Sequence, residues 1–563
     1  MQNPLAQAAA SWAAFVQDAY EEAVQAGQLP AGAPPATATP ATDPAHGDFT
    51  SNFCMAGARA LKLSPRAIAQ PLLPLLEKKL PGSFFSQVSV AGAGFLNTRL
   101  SGSFFTQLLT HMQAAGDSYG RSQIGQGRRV MVEFVSANPT GPMTLGNARG
   151  GVLGDVLASV LQAAGYDVWR EFYLNDTGNQ VDLFGRSVEA RYIQQLQGED
   201  AVAFPEDGYH GEYIRAFATA YIAEKGDALL TVPQEERRRE LIAFALPRNV
   251  EKMKMDLERY GIRYDLWFAE SALHESGYVA DTLQKLTQRG HTYEKDGALW
   301  FKASELGCEK DEVLRKSNGF YTYYAVDIAY HRDKFEKRGF DQVIDAFGAD
   351  HHGHTLRFAA GMKALGLDPG KLAFVLFQLV HLTRDGEVVR MSKRTGRAVT
   401  LSDLLDEIPR DAVRFFFNNR QSNSHLEFDM ALAVRQDADN PVYYVQYAHA
   451  RLCSLLAMLT QEGHAVPQTI DADLLTHAAE RELMLALAAY PSEIERAARE
   501  REPFYINRYL IDLAGRFHRF YNACRVKDVE PPLLGARLCL CACTRQVLQN
   551  GLTLLGITAP VSM

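Results

Sequence analysis

Apolar positions recur along the chain with two periods, and the expected element changes where the period changes. Within residues 1–30, Trp12, Phe15, Val16, Ala19 and Ala23 fall three and four apart, which predicts an amphipathic helix. An Ala/Pro/Thr-rich stretch from Pro30 to Pro44 predicts an extended connection. Helices are expected over 52–62 and 65–78, and the segment 88–100, ending AGAGFLNTRL, predicts a strand pair that closes a small domain. At Met131 the pattern tightens. Residues 131–135 form an apolar run of strand length, followed over 136–146 by small residues, proline and glycine. Val152, Val156, Val160 and Ala163 then mark one face of a helix, Gly165 suits its C-terminal cap, and 168–173 reads as a second strand. Two strands joined so closely through a helix predict a parallel βαβ unit.

Residues 183–319 are dominated by charged amphipathic helices, including 235–260, and end in the hairpin-like alternation YEKDGALWF. Buried strands are expected again over 342–347 and 373–380, with a helix between them ending at Gly366. From Asn440 onward the pattern is nearly all helical and predicts a bundle. The expected fold is α/β: a Rossmann-like parallel-sheet domain, an α+β N-terminal domain and an all-α C-terminal helical bundle. The boundaries fall at 1–118 (N-terminal domain), 119–182 (first half of the nucleotide fold), 183–319 (connective insertion), 320–400 (second half), 401–439 (linking helices) and 440–563 (bundle).

Composition narrows the function. A chain of 563 residues, 47% hydrophobic and 22% charged, has room for several ordinary globular cores. A net charge of −8 argues against general coating of polyanions, while leaving room for a local basic patch. Seven cysteines, an odd number, do not make a disulfide framework in so long a chain. Cys539, Cys541 and Cys543 lack CxxC spacing and read as buried helical thiols rather than zinc ligands. The first basic residue is Arg59, so the start does not read as a secretory or transit signal, and no apolar run reaches membrane length. A cytoplasmic protein is expected.

The 136–146 loop should lie at the C-terminal edge of a parallel sheet, where a helix N-terminus offers N–H groups to phosphate. Gly146 would let a nucleotide approach the backbone. The loop is neither GxGxxG nor GxxxxGK[ST]. The string SANPTGPMTLGNARGG, continuing through EFYLNDTGNQ, resembles the HIGH-type loop of class I aminoacyl-tRNA synthetases and, more narrowly, the arginyl-tRNA synthetases. More than two hundred residues further on, RMSKR in HLTRDGEVVRMSKRTGR resembles the KMSKS loop, the second signature of that class.

The resemblance implies a set of sites. Thr144 and Asn147 stand where the family has histidines, and both can donate to phosphate. With Arg390 and Lys393 they are the expected catalytic residues. ATP, carried with Mg²⁺, would meet Pro139, Gly141, Pro142, Gly146, His352, Met391 and Ser392. Arginine would meet Glu133, Ser136, Asn138, Tyr323, Asp327 and His351. Physically, a guanidinium needs carboxylates in an enclosed pocket, and Tyr323 and Asp327 share a face if their segment is helical; taken alone, Asp327 fits an ordinary helix surface better, and the register of the surrounding motif reverses that. Asp350, His351, His352 and His354 could suggest zinc, but neighbours at a strand end point to opposite faces, so no structural metal is expected. Tyr444, Tyr447 and Met563 match family positions that meet tRNA; tyrosines in a bundle core are the plain alternative. The N-terminal domain either touches the outer corner of tRNA or is a stabilising appendage.

The implied activity is two-step charging of arginine tRNA with L-arginine at the expense of ATP, with tRNA needed before activation. No Ser/His/Asp or Cys/His arrangement argues for a protein nucleophile. The insertion is too short for a hydrolytic editing domain, and a guanidinium substrate has few competitors that satisfy its polar contacts. No membrane partner is expected, and a monomer is. Three rivals remain: a non-catalytic RNA- or arginine-binding relative, a small-molecule nucleotidyltransferase with the same loop, and another class I synthetase.

Overall fold

The computed structural model describes residues 3–349, 353–389 and 399–563. It divides into two compact units. One contains Gly125–Gln436 and Arg501–Phe504; the other contains the chain up to Ile124, Asp437–Glu500 and Tyr505–Met563.

The first unit is built on five parallel strands: β1 (Arg129–Glu133), β2 (Asp167–Leu174), β3 (Leu266–Ala269), β4 (Gln342–Gly348) and β5 (Leu372–Phe377). Their order across the sheet is β5-β4-β1-β2-β3. Strand order reverses between β1 and β4, so a crevice opens there at the carboxyl ends of the strands. Helix α1 (Leu145–Ala163) crosses from β1 to β2, as the 3.6-residue period over 152–163 requires. Burial goes beyond that stripe: Gly150, Gly151 and Gly154 are also buried, because their missing side chains let β1 and its neighbours close on the helix. A Cβ on Gly154 would come within 2.2 Å of Phe134 Cγ.

Helix α2 (Gly178–Gln197) opens the insertion, whose core joins Phe184, Val188 and Tyr192 to Leu241, Phe244 and Ala245 of the Gln234–Tyr260 helix. The alternation in YEKDGALWF becomes the hairpin Thr292–Lys295 and Ala298–Phe301, extended by Glu312–Arg315. Helix α3 (Tyr323–Arg332) follows and runs into a π-helical turn, Asp333–Lys337. Helix α4 (His354–Leu365) then ends on left-handed Gly366.

One expected strand divides. The apolar run over 373–380 leaves the sheet at Phe377, and Val380–Arg384 belongs instead to a second sheet, parallel to Leu426–Asp429. The backbone of Gln378 diverts it: its N–H donates to the Ser422 carbonyl at 3.0 Å, and its carbonyl accepts from Arg149 Nη1 at 2.6 Å.

In the other unit the N-terminal helix, Pro4–Gln25, buries Trp12, Val16, Ala19 and Ala23 against a four-stranded antiparallel sheet and the helices Phe53–Leu61 and Pro65–Lys79. The C-terminal helices Pro441–Gln461, Ala478–Glu500, Phe504–Ala523 and Pro531–Leu554 close on the same body. Asn3 Nδ2 donates to Glu495 at 3.1 Å and Tyr119 donates to the Leu487 carbonyl at 2.8 Å. Cys539, Cys541 and Cys543 are buried thiols on the last helix.

Candidate active site

Three acids stand in one row across the sheet. Asp345 of β4 pairs in register with Glu133 of β1, and Glu133 with Glu171 of β2. All three are buried. Like charges opposite each other on neighbouring strands repel, so the row requires cations, and the end of α3 with its π turn supplies them. Lys334 Nζ lies 2.6 Å from Glu133 Oε2 and 3.0 Å from Asp345 Oδ1. His331 Nε2 lies 2.9 Å from Asp345 Oδ2. Arg338 makes a fork on Glu171, with Nη2 at 3.0 Å from Oε1, and Tyr330 adds its hydroxyl at 2.6 Å. The extra backbone residue of a π turn re-aims side chains that an α-helix would carry past the sheet. Burial pushes the Glu133 carboxyl above its ordinary value, against the pull of Lys334. For Asp345 burial acts the same way, but Lys334 and His331 outweigh it and hold the carboxyl low.

Beside this row lies a pocket with free negative charge. Asp327, one turn along α3 from Tyr323, is half-buried, and no cation pairs with its carboxylate among the described residues. Burial, with Glu270 and Glu133 close by and His331 offsetting only part, pushes Asp327 up to about 7. Glu270 follows β3 and accepts from Tyr173 at 2.6 Å and from Thr177 at 2.8 Å, donors that leave its charge intact. Tyr323 is 56% exposed at the mouth, where its hydroxyl approaches Gly178 at the start of α2. Glu133, Tyr323 and Asp327 are therefore brought to one end of the sheet. Glu270 and Tyr173 join them unforeseen; the signal for Glu270 is its place directly after a parallel strand, where ligands bind.

The loop after β1 begins with strain. Val135 (φ +69°) and Ser136 (φ +40°) both take left-handed conformations, uncommon for any side chain and most costly for a β-branched one. Ser136 Oγ holds the turn by donating to Glu133 Oε1 at 2.9 Å and accepting from the Tyr173 N–H at 3.1 Å. Asn138 is exposed just beyond. The insertion grips the loop from behind: Asn249 Nδ2 donates to the Pro139 carbonyl at 2.8 Å and to that of Gly141 at 3.3 Å, and Tyr213 donates to the Thr140 carbonyl at 2.8 Å. Pro142 and Thr144 remain exposed and Gly146 half-buried.

Thr144 and Asn147 form a capping box at the head of α1. The Thr144 N–H and hydroxyl both donate to Asn147 Oδ1 at 2.9 Å, and Thr144 Oγ1 accepts the Asn147 N–H at 3.4 Å. Asn147 thus keeps its Nδ2 hydrogens for an outside acceptor. Arg149, fully buried one turn on, donates to the carbonyls of Gln378 and Gln421, and burial lowers its guanidinium to about 10.

Arg390, Met391, Ser392 and Lys393 lie outside the described residues, as do Asp350, His351 and His352. The chain on either side of 390–398 nevertheless meets the first loop. Thr144 and Thr400 form an antiparallel bridge, and the Leu401 N–H donates to the Met143 carbonyl at 2.9 Å. A cavity of about 560 Å³ lies between Leu145 and the hairpin residues Val380, His381, Thr383 and Val388.

In the other unit Tyr444 is half-buried and Tyr447 exposed. Tyr443 and Tyr447 stack at 6.1 Å, and His518 approaches Tyr444 at 4.9 Å. The tail returns to the same helix, where Gln446 and His449 donate to the carbonyls of Thr558 and Pro560; Met563 is exposed.

A nucleotide-binding sheet of this strand order, with its first loop bridged to the far side of a second basic one, is the architecture of a class I aminoacyl-tRNA synthetase. Residues 108–439 match the family model of the tRNA synthetases class I (R) catalytic domain. Residues 11–100 match the arginyl tRNA synthetase N terminal domain and 445–563 the DALR anticodon binding domain. An arginine–tRNA ligase of Acetivibrio thermocellus is 52% identical over 551 residues, 97% of each chain, and one of Ruminiclostridium cellulolyticum is 51% identical over the same length. The Thermus thermophilus arginyl-tRNA synthetase shares the fold, with a TM-score of 0.71 over 97% of this chain and 99% of that one, at 24% identity. The chain belongs to the arginyl-tRNA synthetase family.

Proposed function

We propose that this protein is an arginine–tRNA ligase, joining L-arginine to the 3′ end of arginine tRNA with cleavage of ATP to AMP and pyrophosphate. The observation that carries the reading is the pair of carboxylates, Asp327 and Glu270, which have no Lys or Arg ion-pair partner among the described residues (His274 alone lies 3.7 Å from Glu270), at the carboxyl ends of the strands beside the capped N-terminus of α1. A substrate with a guanidinium and an ammonium matches that charge, and the planar guanidinium suits a carboxylate fork.

Asp327 and Tyr323 hold the guanidinium end of arginine, Glu270 supplies the second charge, and Ser136, Asn138 and His351 meet the backbone end; Glu133, neutralised by Lys334, contributes by accepting from the Ser136 hydroxyl. The arginine carboxylate attacks the α-phosphate of ATP, forming the acyl–phosphate bond as the bond to pyrophosphate breaks. Pro139, Gly141, Pro142, Gly146, His352, Met391 and Ser392 seat the nucleotide, which enters with Mg²⁺ as part of the substrate. Asn147 and Lys393, with Thr144 and Arg390 in support, carry the charge that moves onto the phosphates. The terminal ribose hydroxyl of tRNA then attacks the carbonyl, and AMP leaves with the bonding electrons. Neither step requires a protein nucleophile, so positioning and electrostatics supply the rate. Tyr444, Tyr447 and the Met563 tail meet the anticodon arm. The protein acts as a cytoplasmic monomer.

Arginine-dependent exchange of pyrophosphate into ATP, measured with and without an arginine tRNA transcript, tests the reading. Exchange that requires the tRNA is expected. Folded protein that binds the tRNA but gives no exchange would overturn catalysis in favour of an RNA-binding adaptor.

A further inference from the structure

The turn that leads into α3 presents a single large aromatic ring to solvent. Arg315 and Tyr321 bridge antiparallel, and the turn between them is closed by hydrogen bonds of 2.9 Å from Lys316 N–H to the Phe320 carbonyl and from Gly319 N–H to the Lys316 carbonyl. Gly319 supplies the left-handed residue (φ +88°), and Asn318 Oδ1 caps the Phe320 N–H at 3.3 Å. The Tyr321 ring turns inward and stacks on His274 at 6.1 Å, and His274 Nε2 lies 3.7 Å from Glu270 of the arginine pocket. Phe320, its neighbour, is 71% exposed, the most exposed of the large hydrophobic side chains among the described residues. Lys316 is exposed on the same turn with no carboxylate partner among the described residues, and Arg315 lies behind it, 43% exposed and 3.5 Å from Glu294. The turn is thus rigid, cationic and aromatic, and it stands at the mouth of the pocket, with Tyr323 only three residues on.

We propose that Phe320 is a stacking platform for the terminal base of the tRNA 3′ end, with Lys316 facing the adjoining phosphate. The inference rests on the tRNA-charging reading and adds to it a binding site for the nucleotide that accepts the amino acid. The reaction brings one macromolecular end to this mouth, an unpaired strand whose last ribose must reach the arginine carbonyl. An exposed ring beside an unpaired ammonium matches the π-face and the phosphate of such a strand. It does not match an apolar protein partner, which would require a wider uncharged patch.

The test is a cycle between residue and ligand, using the full chain. Wild type, Phe320→Ala and Phe320→Trp are each titrated with arginine tRNA transcript and with the same transcript lacking its terminal adenosine. Charging of the complete transcript is measured alongside. Loss of one base–aromatic stack should weaken binding of the complete transcript to Phe320→Ala by about tenfold, with a similar fall in kcat/KM for tRNA. The truncated transcript should bind all three proteins alike, and tryptophan should restore the complete one. Lys316→Ala should lower the salt slope of binding by about one unit for the complete transcript and leave it unchanged for the truncated one, which lacks the phosphate joined to the terminal adenosine. Equal affinity of wild type and Phe320→Ala for the complete transcript, or an equal loss with both transcripts, would overturn the platform. Absence of charging by wild type would instead overturn the ligase reading, while the binding cycle would still decide the role of Phe320. The ring is exposed, so its removal leaves the fold intact.

Discussion

Lys334 Nζ stands 2.6 Å from Glu133 Oε2, two positions 201 residues apart in the chain that meet in a fully enclosed ion pair. The same ammonium reaches Asp345, the in-register neighbour of Glu133 on the next strand. This one cation makes it possible for two carboxylates to face each other across the point where strand order reverses. It also assigns charge: Glu133 and Asp345 are compensated internally, so the pocket's free charge falls on Asp327 and Glu270.

Lys334→Met should therefore destabilise the protein by about 3–5 kcal/mol, the cost of leaving buried charge without its partner. Urea unfolding at neutral pH measures it. Without the ammonium, Glu133 and Asp345 bind protons more tightly folded than unfolded, so the defect should shrink as the pH is lowered. Adding Asp345→Asn removes one of the stranded charges and should recover part of the loss.

Asp327 gives arginine binding a pH dependence whose sign is fixed. Its carboxyl sits at about 7 in the folded protein, above the ordinary 3.8. The cationic substrate binds the ionised form, so KM for arginine should be flat above pH 7 and rise below it, approaching about tenfold per pH unit. The shift acts oppositely on the free protein: a raised carboxyl is stabilising to protonate, so this group adds stability as pH falls through 7. Calorimetry at pH 6.5 in buffers of differing ionisation enthalpy should detect proton release on binding arginine. Asp327→Asn should weaken binding at every pH and abolish the slope; a slope that survives would assign it elsewhere.

Much of this was legible in the chain because the elements that carry the site are local. The βαβ unit over 131–173 and the insertion hairpin follow from period and turn residues, and Tyr323 and Asp327 share a face on the condition, which the structure meets, that their segment is helical. The charge row was not legible. Asp345 and Glu171 come from strands far from Glu133 in sequence, and their register is set by sheet pairing, which no single segment encodes. Lys334 and Arg338 carry no signal in the sequence, because it is the π turn that aims them inward. The early end of the strand at Phe377 depends on Arg149 and Ser422, partners contributed by distant segments.

Thr144 and Asn147 divide their work, and substitution should separate the parts. Thr144 orients the Asn147 amide through its backbone N–H and hydroxyl, leaving Nδ2 to meet phosphate. Asn147→Ala should lower the rate of adenylate formation by about 10²-fold, the scale of one lost donor to developing charge. Thr144→Ser keeps the cap and should retain most activity. Thr144→Val loses the cap and should cost about 1 kcal/mol of stability besides activity. Single-turnover adenylate formation and thermal unfolding, measured together, distinguish the two.

Two glycines of α1 should respond oppositely to alanine, because one faces packed side chains and the other lies on the proposed nucleotide face. At Gly154 an added Cβ would meet Phe134 Cγ at 2.2 Å, and Phe134 cannot retreat: it is fully buried, lies 4.7 Å from the Tyr264 ring, and its carbonyl accepts from Tyr264 at 3.1 Å. Phe134 also immediately precedes the strained Val135–Ser136 turn. Gly154→Ala should destabilise by about 1–3 kcal/mol through overpacking and, by moving that turn, raise KM for arginine. At Gly146 the nearest atom to an added Cβ is Thr144 Oγ1 at 3.7 Å, an ordinary contact. Gly146→Ala should leave the unfolding midpoint unchanged or slightly higher, since alanine is the better helix former. Its cost should appear in KM for ATP alone, where a methyl group intrudes on the approach of the nucleotide to the backbone. Reversal of this pattern, with Gly146→Ala unstable and Gly154→Ala tolerated, would place the nucleotide on the wrong face of the helix.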